Sequence, residues 1–292
     1  MNLASTFSDR NGDSNSVPTI PCVLLVLSQE EFPTASLLRA LVLAHISAIG
    51  LRVVRVVSEP RCMAPGWLAK NLVETQAWLR GLLGEGETAE KFTVVTGDFA
   101  PETTAYARSI GAQWIVVPAG EPSVGRIVTS LADAVGVPVL VARAATSFEA
   151  IVAATDLESG DFPILRQAAE LGQKLRIPVI ALHNVNPIAG RSGIDVIWGM
   201  ATPMGVGALR TRQERLEAAA LETQTGGQPM ICSELDPVNA IIDKAGALDA
   251  DLVVVGTRGN GWFKRLFGDN VASNVVDRAV RSVLVVPIAT VG

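Results

Sequence analysis

The sequence is poor in charged residues, which fill only 18% of its 292 positions, whereas hydrophobic residues fill 49%. This composition is typical of a compact, well-buried protein and excludes a fibrous or largely disordered chain. Lys and Arg number 24 against 29 Asp and Glu, giving a formal net charge of −5, and they form no long basic run. We therefore expect neither nucleic acid nor an anionic membrane surface as a partner.

Histidine, cysteine and long apolar runs are also scarce. With only His45 and His183, no Ser-His-Asp arrangement can be proposed, and His183, at the end of an apolar strand, is interpreted as a packed side chain. Cys22, Cys62 and Cys232 lack metal-ligand spacing, so we interpret them as buried free thiols and predict no metal site. No apolar run approaches the ~18 residues of a membrane-spanning helix. Since the signal-peptide pattern is missing too, we expect no membrane insertion and a cytoplasmic location.

Residues 1–18 are polar and rich in Ser, Asn and Asp, which predicts a disordered leader. Beyond them, apolar runs of strand length alternate with segments of helical periodicity. In the first half the predicted strands are Cys22–Leu27, Leu51–Val57, Phe92–Val95, Trp114–Val117 and Val137–Ala142, and the predicted helices are Thr34–Ile49, Trp67–Leu83 and Pro101–Ile110. This alternation predicts an α/β fold, in which helices cover both faces of a mostly parallel sheet.

The second half repeats the pattern of the first. The run IVAATD at Ile151–Asp156 corresponds to VLLVLS at Val23–Ser28, and SVLVVP near the C-terminus corresponds to PVLVAR at the end of the first half. A repeat of roughly 130 residues has the size of a domain and is far longer than a solenoid unit. We therefore predict two copies of one fold, with residues 19–145 as the first domain and residues 146–292 as the second.

A glycine-rich segment follows the fourth predicted strand of the second copy. Leu252–Val255 run into a loop that contains Gly256, Gly259 and Gly261, and a segment of helical spacing, Asn270–Ala279, comes after it. Glycines allow backbone N–H groups to converge on an anion, and a helix start adds the positive end of its dipole. Taken alone, the loop is as consistent with an ordinary turn as with an anion site.

The run GTRGNGWFKRLFGDNVASNVV, followed by VLVVP, resembles the nucleotide loop of the universal stress protein family. In that loop two glycines three apart are followed, after nine residues, by a glycine and a serine or threonine. Gly256 and Gly259 match the first two positions, whereas Asp269 and Asn270 occupy the last two. The resemblance covers nearly the whole chain as a tandem member. It implies two Rossmann-like domains of the adenine nucleotide α-hydrolase-like type, each with a five-stranded, mostly parallel sheet between helices.

The resemblance also implies a nucleotide site in the second copy, with ATP as its ligand, and Mg²⁺ is a candidate cation to accompany the ATP. Asp156 belongs to a segment similar to the family's first-strand motif and is implied to approach the ribose or adenine. The backbone at Asn184 is implied to meet the adenine edge, and the glycines are implied to meet the phosphates. The implied site residues are Thr155, Asp156, Asn184, Gly256, Arg258, Gly259, Asp269 and Asn270.

Asp269 opposes tight ATP binding, because a carboxylate stands where ATP-binding members carry glycine. Two like charges at hydrogen-bonding distance repel by roughly 1 to 4 kcal/mol, depending on the local dielectric. A divalent cation would bridge the carboxylate to a phosphate and reverse this sign. A simpler interpretation is that Asp269 and Asn270 cap the following helix, and both interpretations stay open at this point.

The first copy lacks the matching site residues. Ser28 stands where the aspartate of the first-strand motif would be, and the segment between Pro118 and Pro138 is several residues shorter than its counterpart. Glu121 adds negative charge to what remains of the loop, and Pro122 removes an amide donor. We predict no nucleotide in the first copy.

Taken together, the resemblance implies a stress-response protein, regulatory or protective, with at most one nucleotide site. No general base or Walker lysine is evident, so we expect no enzyme activity beyond slow, incidental ATP hydrolysis. Two alternatives stay open: an interaction module that has lost nucleotide binding and docks an unknown protein, and a regulatory partner of a membrane transporter.

Two further expectations concern how the parts assemble. In the family, two domains associate through their last strands, which implies that the runs PVLVA and SVLVVPI join the two copies within this chain. Tandem chains of this kind often pair again, so we expect a homodimer. Residues 186–207 are long, glycine-rich and partly apolar, and we interpret them as either a lid over the second-copy site or a contact surface.

Overall fold

The computed structural model describes residues 20–28, 32–58, 66–83, 92–120, 123–143, 148–158, 160–185, 206–257 and 271–288. Within these ranges the strands are β1 (Cys22–Leu27), β2 (Gly50–Val57), β3 (Phe92–Thr96), β4 (Ala112–Pro118), β5 (Val139–Ala142), β6 (Ile151–Ala154), β7 (Val179–Asn184), β8 (Met230–Cys232), β9 (Leu252–Gly256) and β10 (Ser282–Val286). The helices are α1 (Thr34–Ser47), α2 (Trp67–Leu83), α3 (Phe99–Ser109), α4 (Val124–Val135), α5 (Pro163–Leu175), α6 (Val206–Thr223), α7 (Pro237–Ala247) and α8 (Val271–Arg278).

These strands form one continuous 10-stranded sheet in the order β3-β2-β1-β4-β5-β10-β9-β6-β7-β8. The first five strands along the chain lie together on one side, and the other five lie on the other side. All pairings within each group are parallel. The predicted α/β fold is confirmed, with the refinement that the two five-stranded units share one sheet.

The two groups meet through β5 and β10, the strands that close the two sequence repeats. This pairing is antiparallel, and Leu140 lies opposite Leu284 at its centre. Val139 pairs with Val285 and Val141 with Val283, so the register is symmetric about the two leucines. The strands implied by the resemblance therefore do join the halves, and each covers a sheet edge that would otherwise be open.

Apolar side chains pack on both faces of the sheet, as parallel strands require. Along β1 the side chains alternate: Leu24 and Val26 belong to one buried cluster, and Val23 and Leu25 belong to the other. Residues of α3, α4, α7 and α8 complete the first cluster, and residues of α1, α2, α5 and α6 complete the second. Helices of both halves thus contribute to each layer.

Helices α4 and α8 come into close contact beside the strand joint. The backbone N–H of Gly125, in the first turn of α4, donates to Oδ1 of Asp277 on α8 at 2.8 Å. A Cβ atom on Gly125 would lie 2.1 Å from the carbonyl oxygen of Ser273. A carboxylate from the second half therefore caps a helix of the first half, at a point where only glycine fits.

Two arginines, Arg39, which is buried, and Arg143, which is half-buried, also connect the halves. Arg143 follows β5 and donates to the carbonyl oxygens of Val276, at 2.5 Å, and Arg281, at 3.2 Å. Arg39 on α1 lies over the ring of Phe148, with Cζ 3.4 Å from the ring centroid. Burial lowers the pKa of both guanidinium groups below the usual arginine value. The guanidinium groups of Arg143 and Arg39 thus contact residues of the second half.

The thiol predictions hold where they can be checked. Cys22 and Cys232 are buried free thiols, and burial raises the pKa of both. Cys62, the predicted leader and the boundary between residues 145 and 146 lie outside the described residues, so the domain limits stay predictions. In the part of the chain that the structure describes, no helix is both long and apolar enough to cross a membrane.

Candidate functional site

The carboxyl ends of three neighbouring strands define the candidate site in the second half. Strand β6 lies between β7 and β9. From β6 the chain runs outwards through β7 to β8 and then crosses back to β9, on the other side of β6. Ala153 pairs with both Ala181 and Val254, so the three strands end side by side. Open α/β sheets bind ligands at such a switch point, outside the carboxyl ends of the strands.

The turn after β6 is fixed by two short polar contacts. Oδ1 of Asp156 accepts a hydrogen bond from the backbone N–H of Glu158 at 3.0 Å, and the hydroxyl oxygen of Thr155 accepts one from Leu157 at 3.1 Å. Leu157 is buried and has a φ of 62°, a left-handed conformation that is rare for a leucine. Strained backbone of this kind tends to cluster at ligand sites. The turn therefore holds Asp156 half-buried in a fixed position at the strand end.

His183, on β7, is a packed side chain, as predicted. Its Nδ1 lies 2.8 Å from the carbonyl oxygen of Thr155, which only an N–H can satisfy, and its Nε2 lies 3.2 Å from a guanidinium nitrogen of Arg212. The ring is therefore neutral, with its proton on Nδ1. Burial lowers the pKa of His183, and the nearby charges of Arg212 and Arg215 lower it further, whereas the hydrogen bond to Thr155 and the charge of Glu158 oppose this shift.

This environment makes stability depend on pH. The folded chain binds a proton on His183 less readily than the unfolded chain, so the stabilisation is present above the ordinary histidine pKa of about 6.5 and is lost as the pH falls below it. We expect the melting temperature of the native chain to fall more steeply on acidification than that of His183→Gln. Replacement of the exposed His45 by Gln is the control, and equal slopes for native and His183→Gln would contradict the assignment.

The side chain of Asn184 is hydrogen-bonded within the protein through both its nitrogen and its oxygen. Its amide nitrogen donates to the carbonyl oxygen of Glu234 at 3.0 Å, and its Oδ1 accepts from the N–H of Glu234 at 3.0 Å and from the thiol of Cys232 at 3.4 Å. These bonds connect β7 to the loop before α7 and hold the side chain in place. The resemblance implied a ligand contact at the backbone of Asn184, and these side-chain bonds are compatible with it.

Gly256, at the end of β9, lies beside the ends of two isoleucine side chains. A Cβ atom there would lie 2.4 Å from Cδ1 of Ile288 and 2.9 Å from Cδ1 of Ile164. The next residue, Thr257, donates its N–H to Val286 at 2.9 Å, and its hydroxyl accepts from Ile288 at 3.2 Å. The chain at the end of β10 and just after it is thus hydrogen-bonded to the start of the glycine-rich loop.

Four predicted site residues, Arg258, Gly259, Asp269 and Asn270, lie outside the described residues, as do positions 186–205. The structure therefore brings together Thr155, Asp156, Asn184 and Gly256 only. Sequence reasoning missed the partners in this region. Glu234 and Cys232 bond to Asn184, and Arg212 bonds to His183. No local pattern identifies these partners, since each contacts a residue at least 29 positions away.

Comparison with known proteins is consistent with this architecture. Residues 147–287 match the model of the Universal stress protein family. A functionally unknown protein from Pseudomonas aeruginosa PAO1 is 19% identical, with 92% of each chain covered and a TM-score of 0.58. A universal stress protein from Archaeoglobus fulgidus is 16% identical, with 91% of this chain and 97% of that chain covered and a TM-score of 0.58. At these identities the two structures share the fold. No curated protein matches the sequence.

Proposed function

Because residues 147–287 belong to the universal stress protein family, we propose that this chain is a stress-response protein, regulatory or protective, with at most one adenine-nucleotide site, in its second half. One observation carries the proposal. Asp156, the backbone of Asn184 and Gly256 lie at the ends of three adjacent strands, at the switch point of a parallel sheet. The strained turn at Leu157 holds the carboxylate of Asp156 at this edge.

The roles of the residues follow from their chemistry. The carboxylate of Asp156 accepts hydrogen bonds from ribose hydroxyls or from the adenine amino group. The backbone of Asn184 meets the adenine edge, since its side chain is held by Glu234. The phosphates extend towards the loop after Gly256, where Arg258 supplies a cation. If Mg²⁺ accompanies ATP, it offsets the negative charge of Asp269.

The experiment that tests this site is a calorimetric titration of nucleotide-stripped protein with MgATP. We expect Asp156→Asn to bind ATP about tenfold more weakly, because hydrogen bonds that involve a charged group are worth about 1.5 to 3 kcal/mol. Asp161→Asn is the matched control, since Asp161 is an exposed carboxylate further along the same β6–α5 connection. Unchanged affinity in Asp156→Asn would place the nucleotide elsewhere.

We assign no catalytic step to this site. His183, the histidine nearest to it in sequence, is buried, and both of its ring nitrogens are engaged by Thr155 and Arg212. It therefore cannot take a proton from an attacking water without breaking these contacts. Any ATP hydrolysis would be slow and incidental.

An interaction module that binds no nucleotide is the second candidate. The observation in its favour is that the side chain of Asn184 has structural partners that explain it without a ligand. On this account these contacts serve packing, and the chain docks another protein, a membrane transporter or a second copy of itself among the candidates. The absence of ATP binding by both the native chain and Asp269→Gly would favour this function.

A further inference from the structure

A separate cleft of about 290 Å³ lies in the first half of the chain. It opens at the carboxyl ends of β1, β4 and β5, next to the start of α1. Strands β1 and β4 are neighbours in the sheet, and β2 leaves β1 on the other side, so this is again a switch point. The walls are mostly apolar and are formed by Leu27, Pro33, Ala35, Pro118, Ala119 and Ala142.

One polar group on the cleft wall lacks a partner. Ser36 is 1% exposed and lines the cleft, and its hydroxyl makes no hydrogen bond within the described residues. A hydroxyl that faces a cleft and has no partner within the described residues is available to a ligand there. Ser36 lies in the first turn of α1, where Pro33 provides no side-chain cap and no acidic residue is present. The positive end of the helix dipole therefore reinforces the preference for an acceptor oxygen.

The charges around the cleft disfavour an anion. Arg143 is the one charged residue among the described lining residues, and its guanidinium is already bonded to the carbonyl oxygens of Val276 and Arg281. With Arg143 engaged in this way, the described lining residues leave no cation available to a carboxylate or phosphate.

We propose that the first-half cleft binds a small uncharged organic molecule with an apolar body and one carbonyl oxygen. The apolar walls enclose the body, and the oxygen accepts a hydrogen bond from the hydroxyl of Ser36 at the start of α1. This ligand is not a nucleotide, since Ser28 replaces the carboxylate that would hold a ribose and Arg143, the cation in the described walls, is already bonded to Val276 and Arg281. The proposal does not depend on the nucleotide site of the second half.

Three probes of similar shape test the chemistry by NMR titration of the full chain. Acetophenone carries the carbonyl oxygen, ethylbenzene lacks it, and benzoate replaces it with a charge. We expect saturable binding of acetophenone in the millimolar range, about fivefold weaker binding of ethylbenzene, and weaker binding of benzoate than of acetophenone. No acetophenone binding, equal affinity for ethylbenzene, or tighter binding of benzoate would each overturn the proposal.

Variants then locate the binding. Ser36→Ala is expected to weaken acetophenone binding about fivefold while leaving ethylbenzene binding unchanged, because only the hydroxyl is lost. Ser130→Ala, at an exposed position of α4, is the matched control and should bind like the native chain. Ala35→Leu fills part of the cleft and should abolish binding of both probes, with an unchanged melting temperature as the check on folding. Native-like acetophenone affinity in Ser36→Ala or Ala35→Leu would show that the probe binds elsewhere.

Discussion

Replacement of Gly125 by alanine is expected to destabilise the chain by about 3 kcal/mol, the upper range for overpacking a well-packed contact. The added Cβ would lie 2.1 Å from the carbonyl oxygen of Ser273, and this neighbour is backbone that cannot rotate away. The overlap between this Cβ and Ser273 can be removed only if α4 and α8 move apart. Separation would also break the hydrogen bond from Gly125 to Asp277, so the joint between the halves would lose two interactions at once.

The free energy of unfolding from urea titration measures this effect. Gly246→Ala is the matched control, because a Cβ at Gly246 on α7 meets nothing within 4 Å. We expect this control to be as stable as the native chain or more stable, by up to about 1 kcal/mol, since alanine favours helices over glycine. Native-like stability of Gly125→Ala would mean that the two helices do not pack as closely as described.

Replacement of Asp269 by glycine is expected to raise the affinity for ATP by about fivefold or more in the absence of Mg²⁺. Removing a like charge beside a phosphate saves about 1 to 4 kcal/mol, and 1.4 kcal/mol corresponds to a factor of 10. If the proposed site binds MgATP, the gain should be smaller with Mg²⁺, because the cation would bridge the carboxylate and the phosphate in the native chain.

Calorimetric titration of nucleotide-stripped protein with ATP compares the affinities of the native chain and Asp269→Gly. Asp249→Gly is a suitable control, since it also removes one negative charge but lies before β9, at the opposite end of the strand from the site. Its backbone has a φ of 47°, which glycine adopts without strain. Equal ATP affinity in the native chain and Asp269→Gly would show that this carboxylate does not face the phosphates.

Gly125 and Asp269 hold corresponding places in the two halves. Each lies 14 positions before the residue that opens the symmetric strand pairing, Val139 in the first half and Val283 in the second. The family's loop has a glycine at this place, and the first half retains it where α4 packs against Ser273. The glycine of the first half thus has a packing role at the joint, which the sequence alone does not reveal.

The regular elements could be predicted where burial imposes a clear period. The predicted bounds of Cys22–Leu27 and Trp67–Leu83 match the structure, because apolar composition and spacing end sharply at their termini. Helix α6, Val206–Thr223, was not predicted, since it is largely polar and follows the unassigned stretch 186–207. Strand β8 has only three residues, too few to show any period.

The site was predictable in position and unpredictable in its contacts. Asp156 and Gly256 end strands, and strand ends of one parallel sheet must meet at one edge, so their proximity follows from topology. The partners that hold the site are remote in sequence: Asn184 and Glu234 are 50 positions apart, and Gly125 and Asp277 are 152 apart. Only the folded structure shows that the side chain of Asn184 is hydrogen-bonded to the backbone of Glu234.

The number of nucleotides bound per chain tests the central claim most directly. Equilibrium dialysis of Asp269→Gly against saturating labelled MgATP measures it without the repulsion of the native carboxylate. The account predicts one ATP per chain, with a clear loss of occupancy at sub-saturating ATP when Asp156→Asn is added. Two ATP molecules per chain would contradict the assignment of the site to the second half alone, and none would contradict nucleotide binding by this chain.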